Sequence, residues 1–238
     1  MEIKPGLYRI QSLNQVIYAL DCGGAYVLVD VGDGKELDNK LAALQDDGIA
    51  PEQIAAVLIT HFHDDHCGAL AKLRRICAPK VATHRLSVEP ATTLPPIPRE
   101  LVDHIVDDGD TVEIGALTFR VHHLPGHTHD SVVYQSGQDL FIGDITFEWA
   151  GVGWMDIHWG SCIWQYKESL NKLLALAPAT LYPGHGGPCA LSEASIYRAQ
   201  NTLDILEKID GSPLMIGQPA PTRGAEEVRQ VVRIRVEG

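Results

Sequence analysis

The sequence predicts an α/β or α+β fold built from short strands with single helices between them. Three observations carry that prediction. Short apolar runs bounded by Gly, Pro, Asn and Asp recur along the chain, as in Val16 to Leu20, Ile54 to Ile59 and Asp139 to Ile142. Between them lie segments whose apolar residues return at every third or fourth position, as at Leu37, Leu41 and Leu44. Histidines and aspartates then cluster just past the apolar runs, where a sheet presents functional side chains.

Taken in order, Leu7 to Ile10, Val16 to Leu20 and Ala25 to Asp30 read as a β-meander, the last two joined through the turn signal Asp21-Cys22-Gly23-Gly24. The helix carrying Leu37, Leu41 and Leu44 stops at Asp47-Gly48. Pro51-Glu52-Gln53 turns the chain into the buried strand Ile54 to Ile59. A helix is expected from Cys67 to Ile76 and a short strand from Lys80 to Ala82. Four of the fourteen prolines fall in Pro90 to Pro98, which excludes regular structure and predicts a surface loop. Thr111 to Ile114 and Leu117 to His122 form a hairpin closed at Gly115-Ala116, and Val132 to Gln135 and Asp139 to Ile142 are strands. Lys167 to Leu176 is helical and Thr180 to Tyr182 a strand. Glu193 to Ile209 is an amphipathic helix capped by Ser192, with Ile196, Leu203 and Leu206 on its buried side. Val231 to Val236 alternates like a strand that pairs at an edge or across a homodimer.

Composition bounds the function. A chain of 238 residues with 45% hydrophobic and 21% charged residues suits one soluble globular domain over 1–238, with 149–164 an aromatic cleft loop and 192–238 a helix plus strand. A formal charge of −12 disfavours nucleic acid, which is held by clustered Lys and Arg that release counterions. There is no apolar run long enough to span a membrane, and Met1-Glu2-Ile3-Lys4-Pro5 has neither a basic start nor an apolar core, so a cytoplasmic chain is expected. The five cysteines, Cys22, Cys67, Cys77, Cys162 and Cys189, contain no C-x-x-C pair and read as reduced thiols, with Cys67 a small core residue.

The chemistry gathers at Thr60-His61-Phe62-His63-Asp64-Asp65-His66, directly after the strand Ile54 to Ile59. Imidazole nitrogen and carboxylate oxygen are the donors that zinc and related divalent ions take. His61 and His63, two apart, can face one ion, while Asp65 and His66 sit past the bend and can face a second, so one ion or two is the open question. Further single candidates follow strands downstream: His127 in Pro-Gly-His-Thr, Asp144 in Ile-Gly-Asp and His185 in Pro-Gly-His-Gly.

H-x-H-x-D-H after a strand, followed by these three later residues, resembles the metallo-β-lactamase superfamily across roughly residues 7 to 190. The resemblance implies a four-layer αβ/βα sandwich with metals at one edge between two sheets. It implies that His61, His63 and His127 hold one ion, that Asp65, His66 and His185 hold the other, and that Asp144 bridges them. Two divalent ions are then expected, zinc first, with manganese or iron also compatible. Such a pair acidifies a water into a nucleophile and polarises a carbonyl or phosphoryl oxygen, which makes Asp65 and Asp144 catalytic candidates.

The bridging aspartate places the resemblance in the glyoxalase II and lactonase-like branch, acting on an ester, lactone or thioester of a small molecule. The His127-Thr128-His129-Asp130-Ser131 stretch departs from the His-Thr-x-Gly-His of glyoxalase II, which leaves the thiol part of the substrate open. The alternative is a mononuclear iron oxidoreductase of the persulfide dioxygenase kind. A nuclease fits the acidic composition poorly, and a β-lactamase lacks the bridging aspartate. His129 and Asp130 either orient a ligand imidazole or pass a proton to the leaving group, His129 being the catalytic candidate, or they are solvated loop residues. Trp149, Trp154, Trp159 and Trp164 are spaced by five, which fits neither a helix face nor a strand face. They form a loop that walls the substrate cleft, with Trp149, Trp154 and Trp159 as substrate candidates, or one that packs into a small core or a partner.

Overall fold

The computed structural model describes residues 1–13, 15–89, 94–147, 151–155, 157–209 and 229–236. Among them the strands form two sheets. The first contains β1 (Glu2–Lys4), β2 (Leu7–Ser12), β3 (Gln15–Asp21), β4 (Tyr26–Val29), β5 (Ile54–Leu58), β6 (Lys80–His84) and β7 (His104–Val106), in that spatial order. The second contains β8 (Thr111–Ile114), β9 (Leu117–His123), β10 (Val132–Ser136), β11 (Asp139–Gly143), β12 (Thr180–Pro183) and β13 (Val231–Ile234), in the order β12-β11-β10-β9-β8-β13. The helices are α1 (Leu37–Asp46), α2 (Asp64–Cys67), α3 (Leu70–Ile76), α4 (Ile163–Ala175) and α5 (Glu193–Ile209).

The alternation of side chains along each strand produces the layers. In β3, Val16, Tyr18 and Leu20 point to a core shared with Val112, Phe119 and Phe141 of the second sheet. Ile17 and Ala19 point the other way, to Leu37 and Leu41 of α1 and Leu70 of α3. In the second sheet, Val132 and Tyr134 join the shared core, whereas Val133, Leu140 and Ile142 meet Ile163, Tyr166 and Leu170 of α4 and Ile196 and Leu203 of α5. Each sheet is thus apolar on both faces, one against the other sheet and one against helices, which is the expected αβ/βα sandwich.

Polar ties lock the sheets together at one end. Tyr134 donates its hydroxyl to the Ile59 carbonyl at 3.0 Å and Tyr18 to the Pro183 carbonyl at 2.9 Å. The amide of Val132 donates to Thr60 O at 2.9 Å. The ends of β5, β10, β11 and β12 therefore meet in one place.

Several elements differ from the sequence reading. The expected helix from Cys67 to Ile76 is two short helices, and His66 lies inside the first. The break at Gly68-Ala69 arises because the Ala69 amide donates to Gly32 O, 2.9 Å away in the loop after β4, instead of continuing the helical ladder. Helix α4 starts at Ile163 and not Lys167, since Ile163 and Tyr166 share its buried face with Leu170 and Leu173. Trp164 therefore belongs to a helix, with its indole N–H donating to Glu207 at 2.9 Å. Strand β13 pairs in parallel with β8 of its own chain, at one edge of the second sheet. Strands β1 and β7 carried too few apolar residues to be read. Part of the expected proline loop, 90–93, lies outside the described residues, as do 210–228 between α5 and β13. Among the described residues no helix is long and apolar enough to cross a membrane.

Candidate metal centre

Each ligand candidate stands just past a strand end at the edge where the sheets are tied. His61 and His63 follow β5, and His66 is on α2. His127 lies in the loop between β9 and β10, Asp144 follows β11, and His185 follows β12. Glycines make the convergence possible. A Cβ on Gly184 would stand against the His66 ring and 2.7 Å from Asp144 Oδ1. Gly143, at φ +51, lets the chain turn beneath Asp144 where a Cβ would strike Thr60.

The donor atoms meet in overlapping groups. His61 Nε2 is 3.0 Å from His63 Nδ1, and His127 Nε2 is 3.2 and 3.1 Å from these two atoms. His185 Nε2 is 3.2 Å from Asp65 Oδ2 and 3.2 Å from Asp144 Oδ2. Asp144 Oδ2 is also 3.7 Å from His127 Nε2, so one carboxylate reaches both sets. The trios His61/His63/His127, His61/His66/Asp144 and Asp65/His66/His185 each bring their donor atoms within 4.8 Å of one another.

A layer of hydrogen bonds behind these rings sets their tautomers. Asp30 accepts from the Thr60 amide and hydroxyl, each at 2.8 Å, and lies 2.8 Å from His66 Nδ1. With its proton given to Asp30, the Thr60 hydroxyl can accept from His61 Nδ1 at 3.0 Å. The Trp154 carbonyl accepts from His127 Nδ1 at 2.6 Å. His61, His66 and His127 consequently turn Nε2 towards the centre, whereas His63 turns Nδ1. Asp30 does this from φ 60, a left-handed conformation that aspartate tolerates better than most residues.

Electrostatics divides the histidines. Burial, then the neighbouring imidazoles, pushes His61 well below the ordinary histidine range and His63 down to about 3. These are neutral rings with free lone pairs. Burial acts the same way on His185, but hydrogen bonds to Asp144 and Asp65 outweigh it and lift the ring to about 10. Asp144 is held well below the carboxylate range because His66 and His185 overcome the opposing effect of burial. Buried carboxylates here demand positive charge beside them.

The donor set fits divalent ions. His66 Nε2 and Asp144 Oδ1 are buried and 3.4 Å apart without hydrogen-bond geometry, and His63 Nε2 is also buried without a partner. Converging imidazole and carboxylate donors with their far sides anchored form the ligand arrangement of zinc-type sites.

Residues 13–185 match the model of the metallo-beta-lactamase superfamily. The chain belongs to that superfamily. It is 38% identical over 153 residues to hydroxyacylglutathione hydrolase 2 of Vibrio vulnificus, covering 64% of this chain and 53% of the relative. It is 28% identical over 209 residues to the atrochrysone carboxyl ACP thioesterase of Aspergillus fumigatus, covering 84% of this chain and 58% of the relative. The chain thus spans about half the length of such relatives. The solved structure of ETHE1 from Myxococcus xanthus superposes with a TM-score of 0.67 over 90% of this chain and 95% of that one, at 22% identity, a likeness of fold.

Within the superfamily framework, the motif residues His61, His63, Asp65, His66, His127, Asp144 and His185 all reach the centre. His129 and Asp130 do not behave as solvated loop residues, being 4% and 0% exposed. The His129 ring lies edge-on to Phe62 at 5.5 Å, outside the lining of the cleft, and Asp130 accepts from Ser87 at 2.6 Å. Trp154 and Trp159 do line the cleft, with Trp159 4.2 Å from the His63 ring. Trp149 lies outside the described residues. Sequence reasoning missed Asp30, Thr60 and Tyr166. Tyr166 donates to Ile145 O at 2.6 Å and accepts from the Gly153 amide at 2.8 Å, tying the loops that carry Asp144 and Trp154. An aspartate ending an apolar strand was the available signal for Asp30; Tyr166 offered none beyond its helical spacing.

Proposed function

We propose that this chain is a metal-dependent hydrolase that cleaves an ester, lactone or thioester bond of a small molecule. The carrying observation is the single carboxylate of Asp144 lying between the two imidazole sets, at the floor of an open cleft. The names of the relatives, a hydroxyacylglutathione hydrolase and an ACP thioesterase, support the same bond class.

His61, His63 and His127 would hold one divalent ion, and Asp65, His66 and His185 a second, with Asp144 shared. Such ions supply an acidified water and a Lewis acid for the carbonyl oxygen. The remaining work belongs to the chain. Asp30, Thr60 and the Trp154 carbonyl hold His66, His61 and His127 in the tautomers that direct lone pairs inward. Water oxygen bonds to the acyl carbon, the C–O or C–S bond breaks, and the two hydrogens of water are shared between the acid and the alcohol or thiol. His129 is buried and not among the residues that line the cleft, so no proton transfer is assigned to it.

The test is elemental analysis of protein purified without added metal, with an ester, lactone and thioester panel, on the native chain, Asp144→Asn and His63→Ala. About two zinc or manganese ions per chain are expected. In either variant metal content should fall and kcat/KM drop by at least about 10²–10³. Full activity and metal content in Asp144→Asn would overturn the proposal. About one iron with a silent panel would move the assignment to an iron oxidoreductase.

A further inference from the structure

The cleft over the centre has a volume of about 800 Å³, within the range that encloses a small-molecule ligand. Its lining is largely apolar, with Leu94, Ile97 and Leu101 together with Phe62, Trp154 and Trp159. Trp154 is 70% exposed although its carbonyl is anchored on His127, so a large apolar ring is held out beside the ligands with little of its own surface covered. The charged side chains in the lining, outside the histidines, are Asp65 and Asp144 of the metal centre and Asp64, and no Lys or Arg is among the described lining residues.

We infer that this cleft is an acyl-chain subsite: the substrate carries an extended apolar acyl group, seated against Leu94, Ile97, Leu101 and the two tryptophans, and no free carboxylate on that group. This rests on the hydrolase reading for the reacting bond, while the occupant follows from the walls and the charge. An aliphatic chain leaving water gains about fourfold in affinity for each buried methylene. A carboxylate on the acyl chain would leave water for an apolar lining that offers it no Lys or Arg among the described residues. A glutathione moiety, with two carboxylates, is a poor occupant for this side of the cleft.

The experiment measures binding and turnover separately on the metal-containing protein. Binding of unreactive n-alkanamides, from butanamide to decanamide, is followed by tryptophan fluorescence and calorimetry. Hydrolysis is followed on p-nitrophenyl esters from acetate to decanoate and on S-lactoylglutathione. The subsite predicts that Kd tightens about three- to fourfold per methylene until the cleft is filled, and that KM falls in parallel. Trp154→Ala, which keeps the carbonyl on His127, and Leu94→Asp should flatten that slope at unchanged metal content. A length-independent Kd, or S-lactoylglutathione as the preferred substrate, overturns it. If the amides bind with the expected slope and no ester of any length is cleaved, the subsite stands and the hydrolase reading falls. If esters are cleaved without regard to length, the hydrolase reading stands and the subsite falls.

Discussion

At the scale of the residue, the least conspicuous participants are those behind the histidines. Asp30 touches Thr60 twice and His66 once, and no water is needed to complete that set. Asp30→Asn keeps the shape and tolerates the left-handed backbone, but one of its terminal atoms becomes a donor facing donors. Metal affinity should fall about 10–100-fold, measured by competition with a chromophoric chelator, at nearly native thermal stability. Gly184→Ala acts differently. Its φ is ordinary, so the only obstacle is the space already held by His66 and Asp144. We expect loss of the ion associated with His66 and His185 while the other site still loads, read as a metal stoichiometry falling towards about one. Cys67 also has a plain reading: burial, with Asp130 nearby, holds its thiol well above the ordinary range, and it donates to Phe62 O at 3.2 Å. It packs against the helix-facing core of the first sheet and contributes to the cleft lining.

At the scale of the element, the joints that deliver the site are polar. Asp103 accepts from the Val81 amide at 3.0 Å, Arg74 at 2.6 Å and Lys80 at 3.1 Å, which ties α3 to β6 beside the strand that carries the histidines. Burial opposes ionisation, but these three donors outweigh it and hold the Asp103 carboxyl below the ordinary carboxylate range. A carboxylate depressed on folding stabilises above its unfolded value and loses that contribution as pH falls through the lower folded value. Asp103→Asn should therefore cost about 1 kcal/mol at neutral pH, a modest figure for a network partly open to solvent, and the difference from the native chain should shrink as pH falls below the ordinary carboxylate range. Urea unfolding at neutral and at acid pH checks it. The helix from Glu193 to Ile209 was legible with its cap, since Ser192 Oγ accepts the Ser195 amide at 3.1 Å. The start of α4 was not, because the tryptophan spacing masks the helical pair Ile163 and Tyr166 until the second sheet is there to bury them.

At the scale of the whole molecule, the sandwich is closed far along the chain from its centre. Ile234 of β13 is 4% exposed and sits in the core between the sheets, on the edge of the second sheet opposite β12. Ile234→Ala should lose about 2–5 kcal/mol by cavity formation, a lowered thermal midpoint with unchanged metal stoichiometry. If metal content fell instead, the two edges of that sheet would be coupled more tightly than the topology indicates.

The sequence by itself determined the class of fold and the candidate ligand residues, because a period of two or of three to four reports which side chains are buried, and donors packed into six consecutive positions leave few other chemistries. Only the tertiary structure decided which ring nitrogen faces the centre, that Asp30 and Tyr166 stand behind it, that His129 is buried outside the cleft lining, and that Leu94 to Leu101 and two of the tryptophans line one cleft. Those facts depend on contacts between residues far apart in the chain, and such contacts exist only after both sheets have met.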